Sequence, residues 1–334
     1  MKNDAVLAIV GATGLVGSEM QNVLNDLKLK FKDIKLLASE NSVGELYEIN
    51  GESYEVKLLT EDAFNGVDIA LFGTKNELSE KFVKVASEKG VICIDNSSAF
   101  RMNEDVPLVV PEVNFDAIKS GQKIIANPNC STIQMIPVLD AIEKEAGLER
   151  VVVSTYQSVS GAGKNALDEL WSQTLAIFNQ KEIEVESFLH QIAFNLIPQI
   201  DMIEEDGYSK EEYKMINETR KILNLPDLKI TATCVRVPVF FSHAESINVQ
   251  TKKEITPQRL IEILSKKEGI VVNDNVYEYP MPIDTAGENE IFVGRIRKDY
   301  SVPYGLNLWV VSDNIRKGAA LNAVQIMQKL LENM

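Results

Sequence analysis

The stretch AVLAIVGATGLVGSEMQNVL, residues 5–24, decides the fold. Residues 5–10 form an apolar β-type run, and Ser18 to about Leu27 follow a helical spacing. Between them stand three glycines, Gly11, Gly14 and Gly17. A glycine turn from strand to helix lets the backbone approach a pyrophosphate, while the helix N-terminus offers unpaired N–H groups and partial positive charge. Thr13, Leu15 and Val16 belong to the same turn and join the glycines as candidate cofactor contacts. The G-x-x-G-x-x-G spacing departs from the commonest dinucleotide fingerprint, so a tight turn without a ligand is the competing account.

Outward from this turn the alternation of strand and helix continues. Asp33–Ala38, DIALFG (68–73) and GVICIDN (90–96) have strand character, and a helix-like stretch runs to about Lys89. This is the rhythm of a parallel sheet with crossover helices, and it predicts an α/β fold with an N-terminal Rossmann-like dinucleotide-binding domain. The segment after the second strand, LASENSVGE (37–45), should separate NAD from NADP. Ser39 and Ser42 can donate to a 2′-phosphate, whereas Glu40 and Glu45 oppose one.

Beyond residue 129 the pattern changes. A helix from Ser131 to about Ala146 leads into VVVSTYQSV (151–159), KITATCVRVPVF (229–240), ESINVQTK (245–252), IFVGRIRKD (291–299) and GLNLWVVSD (305–313). Runs of strands with few helices predict an α+β second domain with a mixed or largely antiparallel sheet. A last helix, about Arg316 to Glu332, carries apolar residues at Ala320, Leu321, Val324, Met327, Leu330 and Leu331 on one face. The expected division is therefore 1–129, with 315–334 returning to it, and 130–314.

Composition narrows the function classes. Of 334 residues 45% are hydrophobic and 25% charged, which is the profile of a globular protein with an ample core. The formal charge of −15 would repel phosphate backbones and acidic membranes, so neither nucleic acid nor a membrane is an expected partner. An anionic substrate would need a locally built cationic pocket. The first apolar run is too short for a secretory core, no stretch approaches a spanning helix, and three widely spaced cysteines point to free thiols in the cytoplasm. Cys93 and Cys234 lie inside strand-like runs and are expected to be buried and structural.

NPNCSTIQM (127–135) carries the strongest chemical signal. Asn127, Pro128 and Asn129 form a turn, and Cys130 sits at the mouth of the following helix, where the dipole and open N–H groups favour a thiolate and could hold an oxyanion. A capping cysteine without function remains the alternative. A nucleophilic cysteine needs an acid/base partner, and the chain has two histidines. His190, in VESFLHQIAFNLIPQ, stands among apolar neighbours and is expected to pack or hydrogen-bond. His243 closes RVPVFFSH at a strand end, seven residues after Arg236. One cysteine and one histidine do not by themselves make a pair.

GATGLVG, SSAFRM (97–102), VPEVN (110–114), NPNCSTIQM, SVSGAG (158–163), NLIPQID (195–201), RVPV with SHAES (236–246) and DNIRKGAALNAVQI (313–326) together resemble the aspartate-semialdehyde dehydrogenase family, in family order over nearly the whole chain. The resemblance implies Cys130 as nucleophile, His243 as acid/base and Gln157 as the residue orienting substrate beside the thiolate. Arg236 would hold the substrate α-carboxylate, Glu211 its amino group, and Arg101 and Lys214 its phosphate, with Asn129 also on the substrate side. Ser160, Gly161 and Asn314 would join Gly11–Gly17, Ser39, Asn41 and Ser42 at the cofactor, NADP with NAD possible.

No metal is implied. The implied chemistry is reductive dephosphorylation of β-aspartyl phosphate through a Cys130 thioester, supplying lysine, threonine and methionine synthesis, in a homodimer or homotetramer with the second domain catalytic and dimer-forming. N-acetylglutamyl-phosphate and malonyl-CoA reductases share the cysteine and histidine, but an N-acetylated substrate has no amine for Glu211. A catalytically silent homologue would be expected to have lost Cys130 or His243. Two positions depart from the family pattern: Asn41 stands where an arginine is usual, and FGTKNELSEKF (72–82) keeps only Gly73 of a glycine- and serine-rich loop.

Overall fold

In a computed structural model of the chain, which describes residues 4–332, β1 (Val6–Val10) enters the glycine turn and α1 (Leu15–Asp26) leaves it. There follow β2 (Asp33–Ala38), β3 (Leu46–Ile49), β4 (Glu52–Leu58), β5 (Ile69–Phe72), α2 (Asn76–Glu88), β6 (Ile92–Asp95), α3 (Pro111–Asn114) and β7 (Ile124–Ala126). The strands form one sheet in the order β3-β4-β2-β1-β5-β6-β7. All pairs are parallel except β3–β4.

Helices on both faces explain why β1 and β5 read as continuous apolar runs without alternation. The order reverses at β1, between β2 and β5. The crevice at the C-terminal ends of these strands is where such sheets take ligands. The sequence pattern assigned no element to residues 46–58. The structure places a hairpin there, turned by Asn50 and Gly51 with φ of +54° and +81°. That two-residue Asn-Gly turn matches strand twist at little steric cost.

The remaining elements are α4 (Cys130–Ala146), β8 (Leu148–Gln157), α5 (Lys164–Phe178), α6 (Lys210–Leu223), β9 (Lys229–Arg236), β10 (His243–Thr251), α7 (Pro257–Leu264), β11 (Ile270–Asn273), α8 (Pro282–Thr285), β12 (Ile291–Asp299), β13 (Gly305–Ser312) and α9 (Asn322–Glu332). β8–β13 form a mixed sheet ordered β11-β12-β13-β10-β8-β9, parallel at β8–β9 and β11–β12 and antiparallel elsewhere. Alternate residues of one face, among them Val151, Val153, Ile230, Ala232, Ile247, Val249, Leu306 and Leu308, are buried with Met135, Val138, Leu139 and Ile142 of α4. The period-two alternation of these strands is that of a sheet covered on one side.

The chain falls into two units, one running to Asn129 and resuming at Ala319, the other Cys130–Gly318. The last helix begins as a π-helical turn, Arg316–Leu321, before α9. α9 is tied into the first unit by Asn322 Nδ2, which donates to Val109 O (3.0 Å) and Asn127 Oδ1 (2.7 Å), and by Lys329 Nζ, which donates to Pro111 O (2.7 Å). Residues 315–318 stay with the second unit. Asp313 holds them there: its Oδ1 accepts from the N–H groups of Ile315 and Arg316, both at 2.8 Å, and its carbonyl from Gly318 at 2.9 Å. No described helix is long and apolar enough to cross a membrane.

Candidate active site

Strand register in the second unit aligns the polar candidates. His243 on β10 pairs with Gln157 on β8, Gln157 pairs with Arg236 on β9, and His243 pairs on its other side with Ser312 on β13. Directly paired residues point to one face. Ser312, His243, Gln157 and Arg236 therefore make a polar row at the end of the face that is otherwise the apolar core. All four are buried.

His243 is fully buried, and its Nδ1 receives the backbone N–H of Ser158 at 3.0 Å, with the Ser158 hydroxyl at 3.1 Å. An N–H donated to Nδ1 requires a lone pair there, so the neutral ring carries its proton on Nε2. Burial, reinforced by the Arg236 charge, pushes the imidazole down to about 3, so the ring is neutral at ordinary pH. Nε2 has no hydrogen-bond partner among the described residues. It faces a space kept open by Gly161: a Cβ there would lie 3.2 Å from Nε2 and 3.0 Å from Arg236 Nη1.

The loops holding His243 are knotted by Asn314. Its Oδ1 accepts from the Ser158 and Ser160 hydroxyls, each at 3.1 Å, and from the Ser242 N–H at 2.9 Å. Ser242 is buried with φ of +69°, an uncommon left-handed conformation for a non-glycine residue immediately before the histidine. Ser160 and Asn314, assigned to the cofactor from sequence, are thus buried and bonded to one another, while Gly161 is exposed.

Arg236 donates Nη1 to Ser158 O at 2.7 Å. Gln157 donates Nε2 to Glu211 Oε1 at 3.1 Å and accepts from the Thr155 hydroxyl at 3.1 Å. Glu211, in the first turn of α6, also pairs with Lys214 at 3.0 Å, and Lys214 reaches Asp201 at 3.0 Å. A Ser209 capping box with Glu212 starts this helix and fixes where Glu211 projects. Burial opposes the Lys214 charge, but Glu211 and Asp201 outweigh it and hold its ammonium above the usual lysine range. Arg236 of the row thus brings a guanidinium, while Glu211, bonded to its Gln157, adds a carboxylate and Lys214, bonded in turn to Glu211, an ammonium.

Cys130 is the first residue of α4 and partly exposed. It lies close enough to Arg236 for a thiolate to act on the guanidinium electrostatically. Gly318 packs against it, since a Cβ at 318 would come within 2.9 Å of the Cys130 Cβ. Cys93 and Cys234 are buried, as expected, and burial pushes both thiols well up. His190, expected to pack or hydrogen-bond, is exposed, so it does not pack.

In the first unit the glycine turn is as tight as its spacing suggests. Gly11 has φ of +80°, and a Cβ on Gly17 would stand 2.1 Å from Gly11 O. Gly14 caps α1 without a side-chain hydrogen bond, leaving the first N–H groups of a twelve-residue helix open to a phosphate. This cradle fits a dinucleotide. Ser39 to Asn41 are exposed on the short turn after β2, and the Ser42 hydroxyl bonds to that of Thr13 at 3.1 Å. Arg101 is buried in this unit and donates Nη2 to Asn96 O at 2.7 Å; Asn129, also buried, immediately precedes Cys130.

Two family profiles match: residues 6–121 fit "Semialdehyde dehydrogenase, NAD binding domain" and residues 139–317 fit "Semialdehyde dehydrogenase, dimerisation domain". The aspartate-semialdehyde dehydrogenase of Aquifex aeolicus is 52% identical over 332 residues, covering 98% of each chain. That of Bacillus subtilis is 47% identical over 334 residues, covering 97% of this chain and 96% of its own. The crystal structure of aspartate semialdehyde dehydrogenase II from Vibrio cholerae, solved also in complex with ASA, superposes with a TM-score of 0.97 at 47% identity, covering 99% of each chain.

Proposed function

The chain belongs to the aspartate-semialdehyde dehydrogenase family, and from that premise we propose that Cys130 carries the acyl group while His243, Gln157 and Arg236 arrange it. The enzyme is an oxidoreductase of amino-acid biosynthesis with a nicotinamide-dinucleotide-binding domain, converting β-aspartyl phosphate to aspartate semialdehyde. The observation that carries the site assignment is the row Arg236–Gln157–His243, with Cys130 near enough to Arg236 for charge interaction.

In the biosynthetic direction the Cys130 thiolate attacks the acyl carbon, the carbon–sulfur bond forms, and the bond to phosphate breaks with its electron pair leaving on phosphate. The helix N-terminus and Arg236 both favour negative charge on the sulfur before attack. A bound nicotinamide dinucleotide supplies the hydride that reduces the thioester. His243, with its proton on Nε2, donates a hydrogen bond to the oxyanion so made. When the carbonyl re-forms, the carbon–sulfur bond breaks with its electron pair leaving on the sulfur, which returns as the thiolate that the helix N-terminus and Arg236 favour. Arg236 pairs with the substrate α-carboxylate, a match for its planar fork of donors. Glu211 receives the amino group, Lys214 and Arg101 the phosphate, and Asn129 lines the substrate side.

Gly11, Thr13, Gly14, Leu15, Val16 and Gly17 would hold the pyrophosphate. Ser39, Asn41 and Ser42 would approach the adenosine ribose, and Ser160, Gly161 and Asn314 the remainder. We assign NADP as the cofactor, with NAD accepted, because two serines can still bond a 2′-phosphate although Asn41 brings no charge. The products serve lysine, threonine and methionine synthesis in the cytoplasm, where three cysteines remain thiols. The dimerisation profile supports a homodimer, or a homotetramer of two such pairs.

Phosphate-dependent reduction of NADP and NAD by aspartate semialdehyde, run side by side, tests the function. Turnover with both and a modest preference for NADP is expected; no phosphate-dependent turnover with either refutes it. In the same assay Asn41→Arg should lower the Michaelis constant for NADP by roughly tenfold, since a charged hydrogen bond contributes about twice a neutral one. kcat should be unchanged, because the 2′-phosphate is bound alike in ground and transition states. A native preference of several orders of magnitude, unaffected by the substitution, would place the phosphate on other residues.

A further inference from the structure

Lys214 takes its place from α6, but one of its two carboxylate partners lies on a segment without regular structure. Residues 197–209 run as a strap from the end of β9 to the start of α6. At one end the Ile197 N–H donates to Arg236 O at 3.0 Å, and the Arg236 N–H donates to Ile197 O at 2.8 Å. At the other end Ile203 is bridged to Ser209, which caps α6. Asp201 stands between these ties. Its backbone is left-handed, with φ of +68°, a conformation that aspartate and asparagine adopt more readily than most residues. Its Oδ1 accepts the Met202 N–H at 2.8 Å, and its Oδ2 accepts from Lys214 Nζ at 3.0 Å.

We propose that Asp201 sets the affinity for phosphate by acting through Lys214: it orients the ammonium and offsets its charge, and is a positioning residue for the phosphate subsite.

An ammonium has three N–H donors. Glu211 Oε2 and Asp201 Oδ2 each take one from Lys214, both at 3.0 Å, which leaves one for a substrate oxygen. The two carboxylates have different tasks. Glu211 is buried and has the substrate amino group to receive, whereas Asp201, with its side chain 38% exposed, is left to Lys214 alone. Burial works against the Asp201 charge, but the Lys214 ammonium and the Met202 N–H outweigh it and hold the carboxyl below its usual range. Asp201 is therefore ionised at ordinary pH, and Lys214 meets phosphate with its one charge offset twice.

Tied on both sides within a few residues, Asp201 has little freedom to swing away from the ammonium. Phosphate is a product when the thioester forms and a substrate when it is cleaved. A cation that held it too firmly would slow its departure, and an attenuated one serves both directions.

The inference rests on Lys214 receiving phosphate, so that is read first, in the intact enzyme oxidising aspartate semialdehyde with inorganic phosphate varied. Lys214→Met should raise the KM for phosphate roughly tenfold or more, the scale of a lost charged partner. Asp201→Asn keeps an acceptor oxygen and a residue suited to the left-handed backbone while removing the charge. It should lower the KM for phosphate about fivefold, the modest scale of a partly exposed ion pair. kcat and the KM for aspartate semialdehyde should stay within about twofold, as expected of a change in ground-state binding of phosphate alone. In the Lys214→Met background, Asp201→Asn should move the KM for phosphate by less than about twofold, because its route is gone.

A KM for phosphate unmoved by Lys214→Met overturns the phosphate reading of Lys214 and the inference with it. With that KM raised, an unchanged or higher KM for phosphate in Asp201→Asn overturns the inference alone. So does an equal fall in the KM for aspartate semialdehyde, or a fivefold fall that persists without Lys214 and so does not pass through it. Should the asparagine variant fail to fold, Asp201→Gly, which adopts the same φ without strain, is judged by the same criteria.

Discussion

Cys130→Ala is expected to abolish phosphate-dependent oxidation of aspartate semialdehyde while leaving dinucleotide affinity within about twofold. The reasoning is covalent: without the sulfur there is no thioester, and neither hydride acceptance nor phosphate transfer has a path. Nucleotide affinity should survive because the glycine turn belongs to the other unit and keeps its own hydrogen bonds. The unaltered enzyme should carry acyl label, trapped and located by mass spectrometry, on Cys130 and on no other cysteine. Cys93 and Cys234 are buried, and burial, with Asp95 beside the first and Glu211 beside the second, pushes their thiols up and suppresses the reactive thiolate. Label on either would refute the assignment.

His243→Asn is expected to slow the chemical step by a hundredfold or more, about the scale of lost general acid/base catalysis. His190→Asn, at an exposed position, should leave the rate within about twofold. The pH behaviour gives a second check. A histidine pushed to about 3 stays neutral across the range in which an ordinary one titrates, so kcat/KM should not fall through a histidine ionisation near pH 6.5. Stability should respond instead. Between the unfolded value and about 3 the unfolded state binds a proton that the folded state refuses, so stability falls as pH falls through that window. His243→Asn removes this component and should flatten the acid limb of a denaturation series. An unchanged acid limb, or equal kinetic loss from both histidines, would mean that His243 is not the buried acid/base.

The fold and the site were legible where signals are local. GATGLVG carries strand, turn and helix in consecutive residues, and NPNCSTIQM carries a turn and a helix mouth, so each can be read without knowing what lies beside it. The β3–β4 hairpin was equally legible, since Asn50-Gly51 between alternating residues is a strong short-range turn signal that the pattern of larger strands overshadowed. α5 escaped because it falls between strand-like runs that drew attention from its helical spacing.

His190 was misjudged because apolar neighbours in sequence say little about a segment with no regular structure. The bonds of Ser158, Ser242 and Asn314 around His243 join positions far apart in the chain, and no local pattern announces them.

The polar row has a kinetic meaning. Positions 157, 236, 243 and 312 become neighbours only when β8, β9, β10 and β13 have paired in the correct register, and each of these pairings joins residues scores of positions apart. Contacts so distant in sequence must meet the entropy of loop closure before they return any stabilisation, which places them among the slow events of folding. Since side chains alternate with a period of two, a slip of one residue in β10 would turn His243 to the opposite face. In refolding, catalytic competence should therefore arrive as a single late step that coincides with completion of the sheet, with no partially active intermediate before it.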